Sequence, residues 1–373
     1  MQTISKLEIY MSGKHVGTMS PIKRYLTAFE YSDDWFRNGF SISPFSLPLE
    51  PGVRVSKMEP FGGIWGVFAD SLPDGWGRLL VDRMLRKSGE NPEEIGNIER
   101  LSIVGESGMG ALEYRPIYEK PSTIEEYDLD YLSMECSKIL KSEESSDLDT
   151  LYSLGGSSGG ARPKVLIEEG ADDWVVKFPS SMDPADIGEM EYEYNLCAAA
   201  CEIEVPEVRL FSSDLCSGYF GSKRFDRKNS ADGVSKLHMC SASALLEVSH
   251  RIPSLDYSAL MSLTWQLTKS AHEAERMFRL MCFNVFAHNR DDHSNNFSFI
   301  CENGSWRLSP AYDLTYSNSI GGEHATTING KGKNISIKDI LAVAKMAGIK
   351  ESDAREIAEF TEEIVYKKLR KYL

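Results

Sequence analysis

The period of the hydrophobic pattern changes along the chain, and the changes divide it. Leu7 and Ile9 precede Ser12-Gly13 and Val16 follows, an apolar–turn–apolar pattern that predicts a β-hairpin. Residues 25–31 and 40–47 continue in strand style between proline and glycine punctuation. Leu79, Leu80, Arg83 and Met84 fall at helical spacing and predict a helix over 77–87, and a shorter one is expected over 91–102. Residues 104–112, with Gly105, Gly108 and Gly110, read as a turn between elements. Residues 118–149 are acidic, serine-rich and poor in large apolar side chains, as expected of a helix plus an exposed linker between two units.

Beyond that divide the strand signal returns. Residues 165–167 and 174–178 predict a pair of strands, 189–200 a helix, and 208–211 and 218–225 further strands. After about residue 226 the period is mainly helical, over 242–249, 257–269, 271–287, 337–347 and 352–372. The 271–287 segment has little polar face and should be the buried central helix. A hairpin is expected where 297–300 and 306–308 meet at Asn303-Gly304. The pattern therefore predicts an α+β chain in which a strand-rich half precedes a helical one.

Composition narrows the setting. The chain has 373 residues, room for two or three domains, and a formal net charge of −15, which disfavours non-specific nucleic-acid binding. Its seven cysteines are scattered, with no Cys-x-x-Cys zinc pattern, so free thiols in a reducing cytosol are expected. The sequence shows no signal peptide and no apolar run long enough to span a bilayer, which predicts a soluble cytoplasmic protein without a membrane partner.

Candidate chemistry concentrates in residues 287–296, where His288, Asn289, Asp291, Asp292, His293, Asn295 and Asn296 crowd one turn. Such a cluster is costly unless it faces water, a metal or a ligand. Phosphoryl transfer from ATP needs a carboxylate to orient the accepting hydroxyl, and an Asn and an Asp to hold Mg²⁺. Asp291, four intervening residues, Asn296, a hairpin and then Asp313 reproduce that order. Mg²⁺ prefers hard oxygen donors, which one carboxamide and one carboxylate supply. Upstream, the run Gly155–Gly160 could cradle phosphates through backbone N–H groups, although it is not a Walker A motif. Lys177 lies in an apolar strand ahead of an acidic helix whose Glu191 or Glu193 could pair with it. A competing reading gives His288 and His293, with Asp291, Asp292 and Asp313, to a transition metal for hydrolysis. Another makes the chain a kinase-like binding module without turnover.

These residues resemble the HipA family, the serine/threonine kinases of bacterial type II toxin–antitoxin pairs, over nearly the whole length. Ser71-Leu72-Pro73-Asp74-Gly75 and Gly108-Met109-Gly110-Ala111-Leu112 are similar to that family's first N-terminal subdomain. The resemblance implies a protein-kinase-like two-lobed fold: an N-terminal subdomain over 1–118, a strand-rich N-lobe over 119–225 and a helical C-lobe over 226–373. It implies that Ser157 or Ser158 is the autophosphorylated residue, and that Ser157, Ser158, Gly159, Gly160, Ala161, Lys164, Lys177 and Glu191 lie at the nucleotide. Lys223 to Phe225 resembles the hinge that meets adenine, Asp291 the catalytic Asp with His293 as companion, and Asn296 and Asp313 the metal ligands. Two positions depart: the family often has Gly where His288 stands and Lys where Asn295 stands. The implied cofactors are ATP and Mg²⁺. The implied partners are a separately encoded, HipB-like DNA-binding antitoxin, with DNA met only through it, and a protein substrate, for which aminoacyl-tRNA synthetases are the family's precedent. A phosphoserine adds about −1.5 to −2 charges, so self-phosphorylation would eject the loop and switch the enzyme off.

Overall fold

The computed structural model describes residues 4–22, 25–117, 128–230 and 233–373. It divides into two compact units, Met1–Glu189 with Arg209–Met239, and Met190–Val208 with Cys240–Leu373.

The first unit opens with β1 (Leu7–Met11), β2 (Lys14–Pro21) and β3 (Thr27–Tyr31). Leu7, Ile9 and Met11 are buried while Glu8 and Tyr10 are not, the alternation of a strand with one face on a core. Ser12 and Gly13 both take positive φ (49° and 75°), the turn whose twist suits a two-residue hairpin. A short helix, α1 (Asp33–Asn38), follows where no helix was expected, and Ser32 caps it by accepting from the Trp35 N–H. Next come β4 (Arg54–Val55), α2 (Gly66–Ala69), α3 (Gly75–Lys87), α4 (Asn97–Val104) and β5 (Leu112–Arg115). The sheet order is β4-β3-β2-β1-β5. The 104–112 segment thus ends in an edge strand.

The unit continues with α5 (Leu129–Leu140), α6 (Leu148–Gly155), β6 (Lys164–Glu169) and β7 (Asp172–Lys177). Residues 118–127 of the expected helix-plus-linker lie outside the described residues. After α7 (Ile187–Ala200) come β8 (Val208–Phe211) and β9 (Tyr219–Lys223), giving a sheet ordered β6-β7-β9-β8. Trp76, Leu80 and Leu85 of α3 share one apolar cluster with Leu151, Val165, Val176 and Phe178, so α3 packs with this second sheet. A polar hairpin of β10 (Arg227–Ser230) and β11 (Gly233–Lys236) and then β12 (His238–Ser241) replace the helical character expected just past residue 226.

The second unit holds α8 (Ala242–Leu246), α9 (Tyr257–Thr268), α10 (Ala271–Phe286), β13 (Ser298–Glu302), β14 (Ser305–Leu308), α11 (Ile337–Met346) and α12 (Glu351–Leu369). Central α10 buries Met277, Phe278, Leu280, Met281, Cys282 and Phe283, and it packs on α9 and α12. Asn303 and Gly304 turn the β13–β14 hairpin with φ of 51° and 83°.

One buried charge cluster joins the first unit's pieces. Asp226 is 0% exposed. It accepts from Arg224 Nε (2.9 Å) and Nη2 (2.7 Å), from Arg227 Nη1 (3.0 Å) and from the Gly110 N–H (2.7 Å). Arg224 Nη2 also donates to the Gly108 carbonyl (3.0 Å), so the 108–110 loop is tied to the residues just past β9. Burial pushes the Asp226 carboxyl upward, but the two arginines and the Gly110 N–H outweigh it and the net shift is downward. A carboxyl lowered on folding contributes stability above its unfolded pKa and loses it as pH falls through the folded value. Asp226→Asn removes the closest counter-charge of two buried guanidinium groups, leaving Asp173 at 3.8 Å from Arg227, which should cost about 3–5 kcal/mol in urea unfolding at neutral pH. The deficit should shrink as pH drops below about 4.

Candidate functional site

The candidate catalytic segment, residues 287–296, lies in the second unit, and it is built from α10 outward. Past Ala287 the chain reverses through His288 (φ 52°), and Asn289 folds back onto the helix. Its N–H donates to the Asn284 carbonyl (3.0 Å) and its Nδ2 to Asn284 Oδ1 (2.9 Å). Asp292 is then drawn inward, to 1% exposure. Its Oδ2 accepts from Tyr257 OH and His324 Nδ1, both at 2.9 Å, and its Oδ1 accepts from the Thr326 N–H at 3.2 Å. Asn284 Nδ2 donates to Tyr257 OH (2.9 Å), which closes the network. Because Asp292 points in, its neighbours point out: the Asp291 side chain is 66% exposed, and His293 is half-buried with Nε2 3.9 Å from Asp291 Oδ1. That separation lets the two charges interact but is too long for a hydrogen bond.

A single 3₁₀ turn over Ser294–Asn296 swings Asn296 back beneath this carboxylate. Asn296 N–H donates to the His293 carbonyl (2.9 Å) and Nδ2 to the Asp291 carbonyl (2.7 Å). The second bond assigns the amide orientation and leaves Oδ1 as the atom that can meet a cation. Tyr312 secures the next element: its OH donates to the Asn295 carbonyl (2.5 Å) and lies 2.6 Å from Ser298 Oγ. Asp313 follows with φ 53°, a left-handed conformation that Asp tolerates better than most residues. Burial lowers the His288 pKa, with Arg290 and His324 adding to the shift, and its ring packs 6.3 Å from Tyr316. Among the described residues no group of three or more His, Cys, Asp or Glu side chains is placed to hold a metal. The carboxylate oxygens of Asp292 are already engaged by neutral donors and His324, so the His288/His293 hydrolase reading lacks the cluster it needs.

The expected nucleotide residues of the first unit sit on β6, β7, β9 and the glycine-rich segment after α6. Lys164 and Lys177 are direct partners on the antiparallel β6–β7 ladder, so both side chains are on one face. Two like charges opposite each other are destabilising unless anions hold them. Lys177 Nζ lies 5.5 Å from the centre of the Phe220 ring, its partner on β9. Ser157 and Ser158 are only 9% and 5% exposed. Ser157 Oγ donates to the Ser107 carbonyl (3.0 Å) and Ser158 Oγ to the Gly155 carbonyl (2.6 Å). Gly159, Gly160 and Ala161 form the exposed tip of the segment. Lys223 Nζ pairs with Asp172 (2.8 Å), and the Arg224 N–H donates to the Asp173 carbonyl (2.8 Å), with half-buried Phe225 following.

On α7, in the part that belongs to the second unit, the two candidate glutamates separate. Glu193 pairs with Lys371 at 2.8 Å, while Glu191 is 2% exposed. Sequence reasoning named the outward-facing members of this site but missed Tyr257, Asn284, His324 and Thr326, which hold Asp292. Asn289 and Asp292 lie inside the polar run and were named from it, whereas these four lie in other segments.

A HipA-like C-terminal domain model matches residues 156–368, and a HipA N-terminal domain model matches residues 7–115. The chain belongs to the HipA family of kinases. It is 26% identical over 344 residues to a Sinorhizobium fredii protein named "Putative kinase Y4mE", covering 84% of this chain and 77% of that protein. It matches the Shewanella oneidensis HipA, solved with HipB and its operator DNA, with a TM-score of 0.72 at 17% identity over 98% of this chain and 90% of that one. The shared fold is the α+β arrangement described above: an N-terminal sheet, a strand-rich middle and a helical C-terminal part. The chain is thus a HipA-like protein kinase of the toxin–antitoxin type, a class that uses ATP, and no helix among the described residues is long and apolar enough to cross a membrane.

The inner network predicts a measurable dependence within this HipA-family fold. Tyr257→Phe keeps ring volume but removes one donor to Asp292 and the acceptor of Asn284. It should destabilise the protein by about 1–3 kcal/mol in urea titration. His324→Ala should cost at least as much, since it also opens a cavity beside a buried carboxylate.

Proposed function

We propose that this kinase transfers the γ-phosphoryl group of ATP to a serine or threonine hydroxyl of a protein, with Asp291 orienting that hydroxyl. One observation carries the reading: Asp292 is locked inward while Asn296 is bonded to the Asp291 carbonyl. The Asp291 side chain is 66% exposed beside these two bonds, so an acceptor O–H can approach it from solvent. His293 is its companion, with Nε2 3.9 Å from Asp291 Oδ1.

The donor set fits Mg²⁺. Asn296 Oδ1 is left over by the Nδ2 bond and Asp313 supplies a carboxylate, both hard oxygens. When bound there, the ion would neutralise charge on the transferred phosphates. Lys164 and Lys177, cross-strand partners on one face of their sheet, are the candidate cations for the nucleotide's phosphates. Glu191, buried on α7, is a further candidate nucleotide residue, and the backbone of Lys223 to Phe225 is the candidate adenine contact. The exposed N–H groups of Gly159, Gly160 and Ala161 cover the phosphates. Three working parts follow, with boundaries near 118 and 225.

The family and the fold shared with an antitoxin-bound HipA support a biological reading. The chain would be a growth-inhibiting toxin restrained by a HipB-like antitoxin, meeting DNA only through that partner. Its target would be a cytosolic protein, with an aminoacyl-tRNA synthetase as first candidate. It would self-phosphorylate on Ser157 or Ser158.

Incubation with radiolabelled ATP tests the chemistry. The wild type should label itself and a lysate protein, and Asp291→Asn should lower both by about 10²–10⁴-fold while ATP still raises its melting temperature. Equal labelling by the two proteins would end the kinase assignment. Mass spectrometry after ATP exposure should place phosphate on Ser157 or Ser158; labelling wholly elsewhere would remove the self-phosphorylation proposal.

A further inference from the structure

We infer that Gly75, Trp76 and Gly77, at the start of α3, form a seat that positions the glycine-rich nucleotide segment. These residues are thus positioning residues for ATP binding supplied by the N-terminal part of the chain. The inference rests on the kinase reading of that segment, though the seat itself is a feature of the ligand-free protein.

The contacts are main chain against main chain. The Trp76 N–H donates to the Gly160 carbonyl (2.9 Å), and its indole Nε1 donates to the Lys164 carbonyl (3.2 Å). One bond falls within the segment's exposed tip and the other just past it, where β6 begins. A Cβ at Gly77 would collide with the Ser158 carbonyl oxygen and come within 3.1 Å of the Ser158 carbonyl carbon and nitrogen. At Gly75 it would collide with the Gly160 carbonyl oxygen and lie 2.9 Å from the Ala161 Cα. Nor could the segment yield easily: at Gly155 a Cβ would lie 2.6 Å from the Lys164 carbonyl oxygen and 3.2 Å from Trp76 Nε1. Glycine is costly in the first turn of a helix, and the close approach of a second backbone is what requires it at both positions. Gly75 adds a positive φ of 46°.

A second wall completes the seat. Ser157 Oγ donates to the Ser107 carbonyl, in the loop whose Gly108 and Gly110 are held by Arg224 and Asp226. Seating thus buries both serine hydroxyls against carbonyls and leaves only Gly159, Gly160 and Ala161 facing outward. Those hydroxyls can accept phosphate only after the segment leaves the seat. The same contacts that build the nucleotide cover therefore hold back self-modification.

Amide hydrogen exchange of the ligand-free full chain tests the seat directly. In Gly77→Ala, exchange of residues 156–161 should rise while α10 and the β1–β3 sheet exchange as in wild type. If seating falls to about a tenth of molecules, KM for ATP should rise about tenfold with kcat little changed. A Cβ at Gly159 meets nothing within 4 Å, so Gly159→Ala should leave the segment's exchange unchanged. Should Gly77→Ala fail to fold, Trp76→Phe removes the indole bond alone, and it should raise exchange in the same residues by a smaller factor. Wild-type exchange of 156–161 in folded Gly77→Ala, or the same increase in Gly159→Ala, would overturn the seat. A wild type whose exchange never responds to ATP would instead overturn the kinase reading, because the ligand-free comparison stands without it.

Discussion

A buried carboxylate must be satisfied on both oxygens or the fold around it fails, and Asp292 imposes that constraint on the whole catalytic region. Leaving one ionised oxygen unpaired inside a protein costs several kcal/mol. Its partners come from three places: Tyr257 at the start of α9, His324 and Thr326 in the segment before α11, and, through Tyr257, Asn284 on α10. The loop cannot slide without unpairing several of these at once. Asp291 inherits its outward direction from that lock, and Asn296 is bonded to the same stretch of backbone. The geometry that makes a kinase reading possible is therefore set by a residue that performs no chemistry.

The first unit uses a different solution to the same problem. Asp226 is held by two guanidinium groups and the Gly110 N–H, and the arginines also reach the backbone carbonyls of Gly108 and Gly110. Removing a partner there strands a charge, whereas removing Tyr257 from Asp292 strands only hydrogen bonds. The unit's nucleotide segment depends on this cluster at one remove, through Ser107 and Ser157. Two family segments, matched separately at residues 7–115 and 156–368, meet in this way inside one compact unit.

Local signals were legible and distant ones were not. Ser12-Gly13 and Asn303-Gly304 announced their hairpins because the positive φ they require is written in their identities. Helix α10 announced itself through an almost unbroken apolar surface. The order of Asp291, Asn296 and Asp313 was readable because it is a spacing along one short stretch. The α1 helix, β5 and the β10–β11 hairpin escaped because they are short or polar, with little periodicity to detect. Glu191 and Glu193 could not be told apart in sequence, and burial alone separated them. His324 gave no signal because its partner lies in another segment. Gly77 read as a helix start and Gly75 as the end of a family-like motif, and neither pointed to the segment after Gly155 whose backbone they make room for.

Asn295 shows how a position can depart from its family without disturbing the site. Its carbonyl accepts the Tyr312 hydroxyl at 2.5 Å, the bond that ties the Asp313 segment to the catalytic loop. Any residue supplies a carbonyl, so that tie survives whatever side chain stands there. The side-chain Oδ1 is buried without a hydrogen-bond partner, so the amide contributes little to holding the loop. A lysine at this position would differ chiefly in charge. The Tyr312 bond to the Asn295 carbonyl and the Asn296 bond to the Asp291 carbonyl are both independent of the side chain at this position.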